Sequence, residues 1–346
     1  MNLQTLLVNP DQHRLRSGWR VAFFVALLLL PRLLLSLLAL IAGDGPDVAP
    51  PSAGGEPGAG GAEARGVTIR PDLPGILSTL LLGSWILFVS WVCLLRLDRK
   101  GLRSLGFGFF RGWGGELGRG MATGALMIAG VVIAQAASGG TRLRLHPIWQ
   151  AGLSAPSLDG LSPLLIEALL AIGLLAASAL YEELLYRGYA FQTLLRDVQP
   201  AVPLLLLSLF FALGHWQNPG RSLASTINTL LAGLWLSLAY LKSGNLWYPL
   251  GLHFAWNWTL GPICGLPVSG LRIPAHPLFE ATSGEPTWLT GGAYGSEGGA
   301  AASLVLLIAI GWLFRHWKRD QTQPGDSDAH DLKVDPAGVG SVELGQ

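Results

Sequence analysis

Residues 162–186 read SPLLIEALLAIGLLAASALYEELLY, and the reading of this stretch decides the fold. It is apolar on every side of a helix, interrupted only by Glu167, Glu182 and Glu183, so it has no polar face to turn toward water. A hydrocarbon core of roughly 30 Å needs about 20 such residues per helical crossing. Further runs of this kind fall at 18–42, 74–97, 119–138, 201–217, 223–242, 246–263 and 300–317. The sequence therefore predicts an all-α, polytopic membrane bundle of about eight transmembrane helices. Composition agrees, since 13% of residues are charged where a soluble domain carries about 25%.

The basic residues set an expected orientation. Arg14, Arg16 and Arg20 precede the first run, and Arg96, Arg99, Lys100, Arg103, Arg111 and Arg119 crowd the second connection. Arg315, Lys318 and Arg319 follow the last run, whereas 43–73, 139–161 and 264–299 hold few cations. Cationic loops stay inside, which predicts an integral membrane protein with N- and C-termini cytoplasmic. Gly, Pro and Ala dominate 43–73, and the tail 321–346 is polar, so both are expected to be flexible. The resulting division is 1–158 as N-terminal helices, 159–263 as a helix core, 264–320 as a loop and last helix, and then the tail. A net charge of +1 without an aromatic-interleaved basic stretch excludes nucleic acid as a partner. Cys93 and Cys264 lack redox or zinc spacing and read as core thiols. Gly120 and Gly124 form a small-residue pair suited to close helix packing.

Ionisable groups inside a bilayer are costly, so each is a candidate for function. Glu183 and Arg187 stand four apart and can pair on one helix face, while Glu182 points about 100° away, toward a cavity. Phe211 precedes His215 by four and can wall off and orient its ring. His253 and Asn257 share a face and can donate hydrogen bonds to one point. Singly, each has a structural explanation as interhelical glue. Two carboxylates, two imidazoles and a carboxamide in one bundle instead suit hydrolysis. Glu182 would accept a proton from water, and two aimed donors would stabilise the oxyanion by about 3 kcal/mol each. Water would enter by a cavity opening toward the cytoplasmic face.

Glu-Glu-x-x-x-Arg at 182–187, Phe-x-x-x-His at 211–215 and His-x-x-x-Asn at 253–257, in that order, resemble the CAAX-protease and bacteriocin-processing (CPBP, Abi) family. This is a family of intramembrane endopeptidases related to the eukaryotic prenyl-protein endopeptidase. The stretch Leu246-Trp247-Tyr248-Pro249-Leu250-Gly251-Leu252 is similar to its bacterial members, and the resemblance spans about 160–262. It implies an eight-helix core in which Glu182 and His215 activate water, His253 and Asn257 hold the oxyanion, and Glu183, Arg187 and Phe211 support them. The expected substrate is a peptide or membrane protein at the lipid bilayer, cleaved without a cofactor.

Zinc on Glu182, His215 and His253 is the competing chemistry, although the chain lacks the H-E-x-x-H helix of zinc proteases. A second class of function is a non-proteolytic scaffold or a proton-coupled transporter on the same bundle. Arg32 lies mid-run after Pro31. It either pairs with a carboxylate such as Glu167, or marks a first span that begins later, with Arg32 snorkelling to the interface.

Overall fold

The computed structural model describes residues 7–9, 14–41, 67–154, 158–273 and 276–322, with side chains left aside at 40, 151–162 and 320–322. Most of the loop expected to be flexible at 43–73, and the tail from 323, lie outside the described residues.

The chain is mainly helical. Among the described residues, six helices are long and apolar enough to cross a membrane, and the protein is an integral membrane protein. They are α1 (Ser17–Ile41), α2 (Leu73–Cys93), α3 (Trp113–Ala137), α5 (Leu158–Arg187), α8 (Leu223–Ser243) and α11 (Ala300–Thr322). Between them lie α4 (Pro147–Ser154), α6 (Tyr189–Leu195), α7 (Ala201–Gly214), α9 (Trp247–Trp258) and the short α10 (Thr287–Thr290). The expectation of eight crossings meets six by this measure, because α7 spans only roughly 21 Å. α9 with its π-helical extension Thr259–Ile263 spans roughly 25 Å.

Local signals start and stop these helices. Asp72 caps α2 by accepting from Gly75 N, with a proline in the first turn. Ser222 and Ser225 form a reciprocal capping box at α8, which ends at Gly244 in the left-handed conformation. A π-turn over Leu94–Asp98 extends α2.

The purely helical expectation is corrected in the connections. Strands β1 (Val8–Asn9) and β2 (Arg14–Leu15) pair near the N-terminus. β3 (Thr141–Leu145) pairs antiparallel with β4 (Phe279–Ser283), Thr141 opposite Ser283 and Leu145 opposite Phe279. These backbone groups lie outside the spans, where a two-stranded ladder satisfies them as a helix would. The connection 264–299 is thereby tied to 139–161.

Contacts sort the connections into two faces. On one, Leu246 N bonds Gly106 O at 3.0 Å, Trp247 Nε1 bonds Gly108 O at 3.1 Å, and Gln192 Nε2 bonds Leu105 O at 2.9 Å. This is the cationic face. Here Arg20, fully buried, grips Asp98 and also Asp197 Oδ2 at 2.7 Å, and Tyr189 donates to Asp98 Oδ2 at 2.7 Å. On the opposite face the β3–β4 ladder is joined by Ile69 N to Arg272 O at 2.7 Å and Asn218 Nδ2 to Ser269 O at 2.9 Å.

Gly120 and Gly124 place α3 directly on α9. A Cβ on either would collide with the backbone of Tyr248 or Leu252, and one on Gly251 would strike Leu117 O. This close seat fixes the helix that carries His253 and Asn257. α1 runs unbroken from Ser17 through Pro31 and Arg32. Arg32 lies exposed on its surface, and Glu167 binds His276 Nδ1 at 2.7 Å.

Candidate active site

Four elements converge on a cavity of about 560 Å³. α5 supplies Glu182, the end of α7 supplies Phe211 and His215, and α9 supplies His253 and Asn257. α8 closes one wall with Asn228 and Trp235.

Glu183 faces away from this space and is fully buried. Its Oε1 accepts from Arg187 Nη1 at 3.1 Å and lies 2.9 Å from His253 Nδ1. Arg187, also fully buried, donates through Nη2 to Gly233 O at 3.1 Å and packs its guanidinium 4.7 Å from the centre of the Phe211 ring. A buried cation thus holds a buried anion, which in turn fixes an imidazole. With Glu183 ionised, His253 Nδ1 carries the proton between them, and Nε2 turns to the cavity.

His215 is oriented differently. Its Nδ1 lies 2.8 Å from Phe211 O, a bond it makes as donor, so the neutral ring presents the Nε2 lone pair to the cavity. The Phe211 ring packs on it at 4.7 Å between centroids. A helix end makes this possible: α7 stops at Gly214, leaving the last-turn carbonyls open to a side-chain donor.

Both Nε2 atoms point at one carboxylate oxygen. Glu182 Oε2 lies 3.7 Å from His253 Nε2 and 4.0 Å from His215 Nε2, and has no direct hydrogen-bond partner among the described residues. These distances exceed a hydrogen bond and suit a small polar molecule between the groups. Side-chain exposure falls from 21% at Glu182 to 16% at His215 and 9% at His253, although Glu182 Oε2 is itself buried. Asn257 lines the same cavity one turn beyond His253. Among the described residues, no group of three His, Cys, Asp or Glu is arranged to hold a metal ion.

The expected opening toward the cationic face is corrected. Arg187 does not line the cavity, and neither does any residue of the connections at 99–112, 196–200 or 244–246. The lining extends instead to Gly75, Ser78 and Thr79 at the start of α2 and to Ile69 and Leu271, on the opposite face. The physical reason is the Glu183–Arg187 pair with Leu184, Tyr189 and Phe191, all buried, which fills α5 and α6 below Glu182.

One lining residue escaped the sequence reading. Glu297, in the turn before α11, accepts from Trp256 Nε1 at 2.9 Å and from Ser269 N, while its own carbonyl accepts from Asn228 Nδ2 at 2.7 Å. It ties α8, α9 and the 268–270 turn together at the cavity wall. Burial pushes its carboxyl above the ordinary carboxylate range, against the pull of those two donors. Its only signal in the sequence is a lone acid within Gly295-Ser296-Glu297-Gly298-Gly299, which reads as a solvated turn.

Fold and site define a polytopic membrane protein with a paired carboxylate and imidazole centre enclosed by its helices. Residues 164–259 match the family model described as type II CAAX prenyl endopeptidase, Rce1-like, and the chain carries a domain of this membrane-protease family. Comparison with curated proteins and with solved structures gave no significant match.

Proposed function

We propose that the protein is an intramembrane endopeptidase that hydrolyses a peptide bond with a water held between Glu182 and His215. The observation that carries this reading is the convergence of Glu182 Oε2 with the Nε2 atoms of His215 and His253 at 4.0 and 3.7 Å. Water at this point donates to Glu182 and to the His215 lone pair. Its oxygen attacks the scissile carbonyl carbon as one proton passes to Glu182. Asn257 Nδ2 and His253 Nε2, the latter donating when the ring is an imidazolium braced by Glu183, receive the developing oxyanion. Collapse breaks the C–N bond, and Glu182 returns its proton to the leaving nitrogen. Glu183, Arg187 and Phe211 position the two imidazoles and touch no reacting atom.

In this reading α7 and α9 complete eight crossings as short helices packed against protein, where irregular ends are tolerated. Both termini lie on the cytoplasmic side. The substrate is a peptide segment of a membrane-associated protein.

The test is cleavage of a membrane-peptide library by detergent-solubilised protein, compared with Glu182→Ala and with chelator-treated wild type. Cleavage that is lost in Glu182→Ala and survives the chelator is the expected result. Loss in both transfers the water to a zinc site on Glu182, His215 and His253. Absence of cleavage by wild type rejects the protease reading in favour of a scaffold or transporter.

A further inference from the structure

We infer that this site is loaded from the membrane face opposite the arginine-rich connections, so that its substrates are polypeptide segments at the extracytoplasmic surface. The substrate class rests on the proteolytic reading above; the side of access rests on three independent observations.

The first is depth. Ile76 packs on Gly173 and Gly83 on Tyr181, so α2 and α5 run parallel and in step. Glu182 therefore sits just beyond the level of Gly83. From there the start of α2 at Leu73 is roughly 15 Å away and Asp98 roughly 22 Å. The second is what fills each direction. Toward Asp98 the path is closed by the buried Glu183–Arg187 pair and by Tyr189 and Phe191. Toward Leu73 the cavity continues past Ser178 and Leu174 on α5 and Thr79 and Ser78 on α2, and Ser78 is exposed. Its lip is built from the outer connections, where Ile69 pairs with Arg272 and Asn218 holds Ser269.

The third is charge. The Asp98 face carries Arg96, Arg99, Lys100, Arg103 and Arg111 in a single connection, with Arg315, Lys318 and Arg319 at the end of α11. The lip face has only scattered arginines, among them Arg70, Arg142, Arg144 and Arg272. Positive loops remain cytoplasmic, which puts the lip outside. A chain still in the cytoplasm would meet the closed end of α5. One anchored in or emerging through the outer leaflet would meet the mouth.

Accessibility tests this without turnover. Full-length protein bearing Ser78→Cys at the mouth, or Arg103→Cys on the cationic connection, is treated with a membrane-impermeant maleimide in intact spheroplasts and in inverted vesicles. Native Cys93 and Cys264 are buried and serve as the background. Ser78→Cys should label at least tenfold faster in spheroplasts, and Arg103→Cys only in inverted vesicles. Labelling of Ser78→Cys from inverted vesicles, or from neither side, overturns the inference. Leu271→Cys, on the same lip, provides the reading if Ser78→Cys fails to accumulate. Labelling from outside combined with no cleavage by solubilised wild type would reject the protease and leave the side of access standing.

Discussion

Two buried ionic clusters in this molecule use similar residues to opposite ends. At the cationic face, Arg20 lies between Asp98 and Asp197, with Tyr189 donating to Asp98 and with Arg14 and Arg196 close by, at 3.8 and 3.5 Å from Asp98. Each charge there meets an opposite charge, and the cluster joins α1, the π-turn after α2 and the loop after α6. At the cavity, Glu183 pairs directly with Arg187 through Oε1 at 3.1 Å, yet among the described residues Glu182 beside them meets imidazole nitrogens beyond hydrogen-bond reach. A closed cluster stabilises a fold. An open carboxylate within the bundle costs stability and leaves a group available for chemistry.

The largest effect that separates the clusters is expected from Glu182→Gln. Cleavage should fall by about 10³-fold, in the range of a lost general base, while the thermal midpoint changes little. A strong loss of stability would mean that Glu182 is structural. Asp98→Asn should do the reverse. It leaves Arg20 buried with one partner fewer, a change expected to cost about 3 kcal/mol in denaturant unfolding. Turnover per folded molecule should persist, and its loss would join the two clusters into one functional unit.

Asn257→Ala should lower kcat by about 10²-fold with KM nearly unchanged, the signature of a donor that acts on the transition state. A rise in KM alone would place Asn257 in substrate binding. Glu297→Gln is expected to be the mildest, costing about 1 kcal/mol because one of its two N–H donors faces an amide NH₂ instead. Since the folded carboxyl is raised, wild-type stability should decline as pH climbs from the ordinary carboxylate range through the raised value. That slope should flatten in Glu297→Gln, as read from melting curves taken from the ordinary carboxylate range upward. A slope left intact would assign it to other groups.

The apolar runs exposed the membrane class, and charge asymmetry distinguished the two faces, because both depend on transfer from water to lipid, which is additive along a chain. The i, i+4 spacings placed Glu183 with Arg187 and His253 with Asn257, since helix periodicity is local. Arg20 was legible only as a flanking cation. Its burial against Asp98 and Asp197 depends on how α1 docks, for which its own segment carries no signal. Gly120 and Gly124 announced a close contact without naming α9 as the partner.

Sequence by itself thus determined the solvent, the helices and the residue types that could do chemistry, because each follows from periodicity and hydrophobicity within single segments. Tertiary structure alone decided which end of α5 is plugged, that Phe211 O and Glu183 hold the two imidazoles through Nδ1 and leave both Nε2 atoms to the cavity, and that Glu297 returns to the cavity from a distant turn. Those outcomes depend on packing between segments far apart in the chain, where direction and distance are set by the shapes of neighbouring helices.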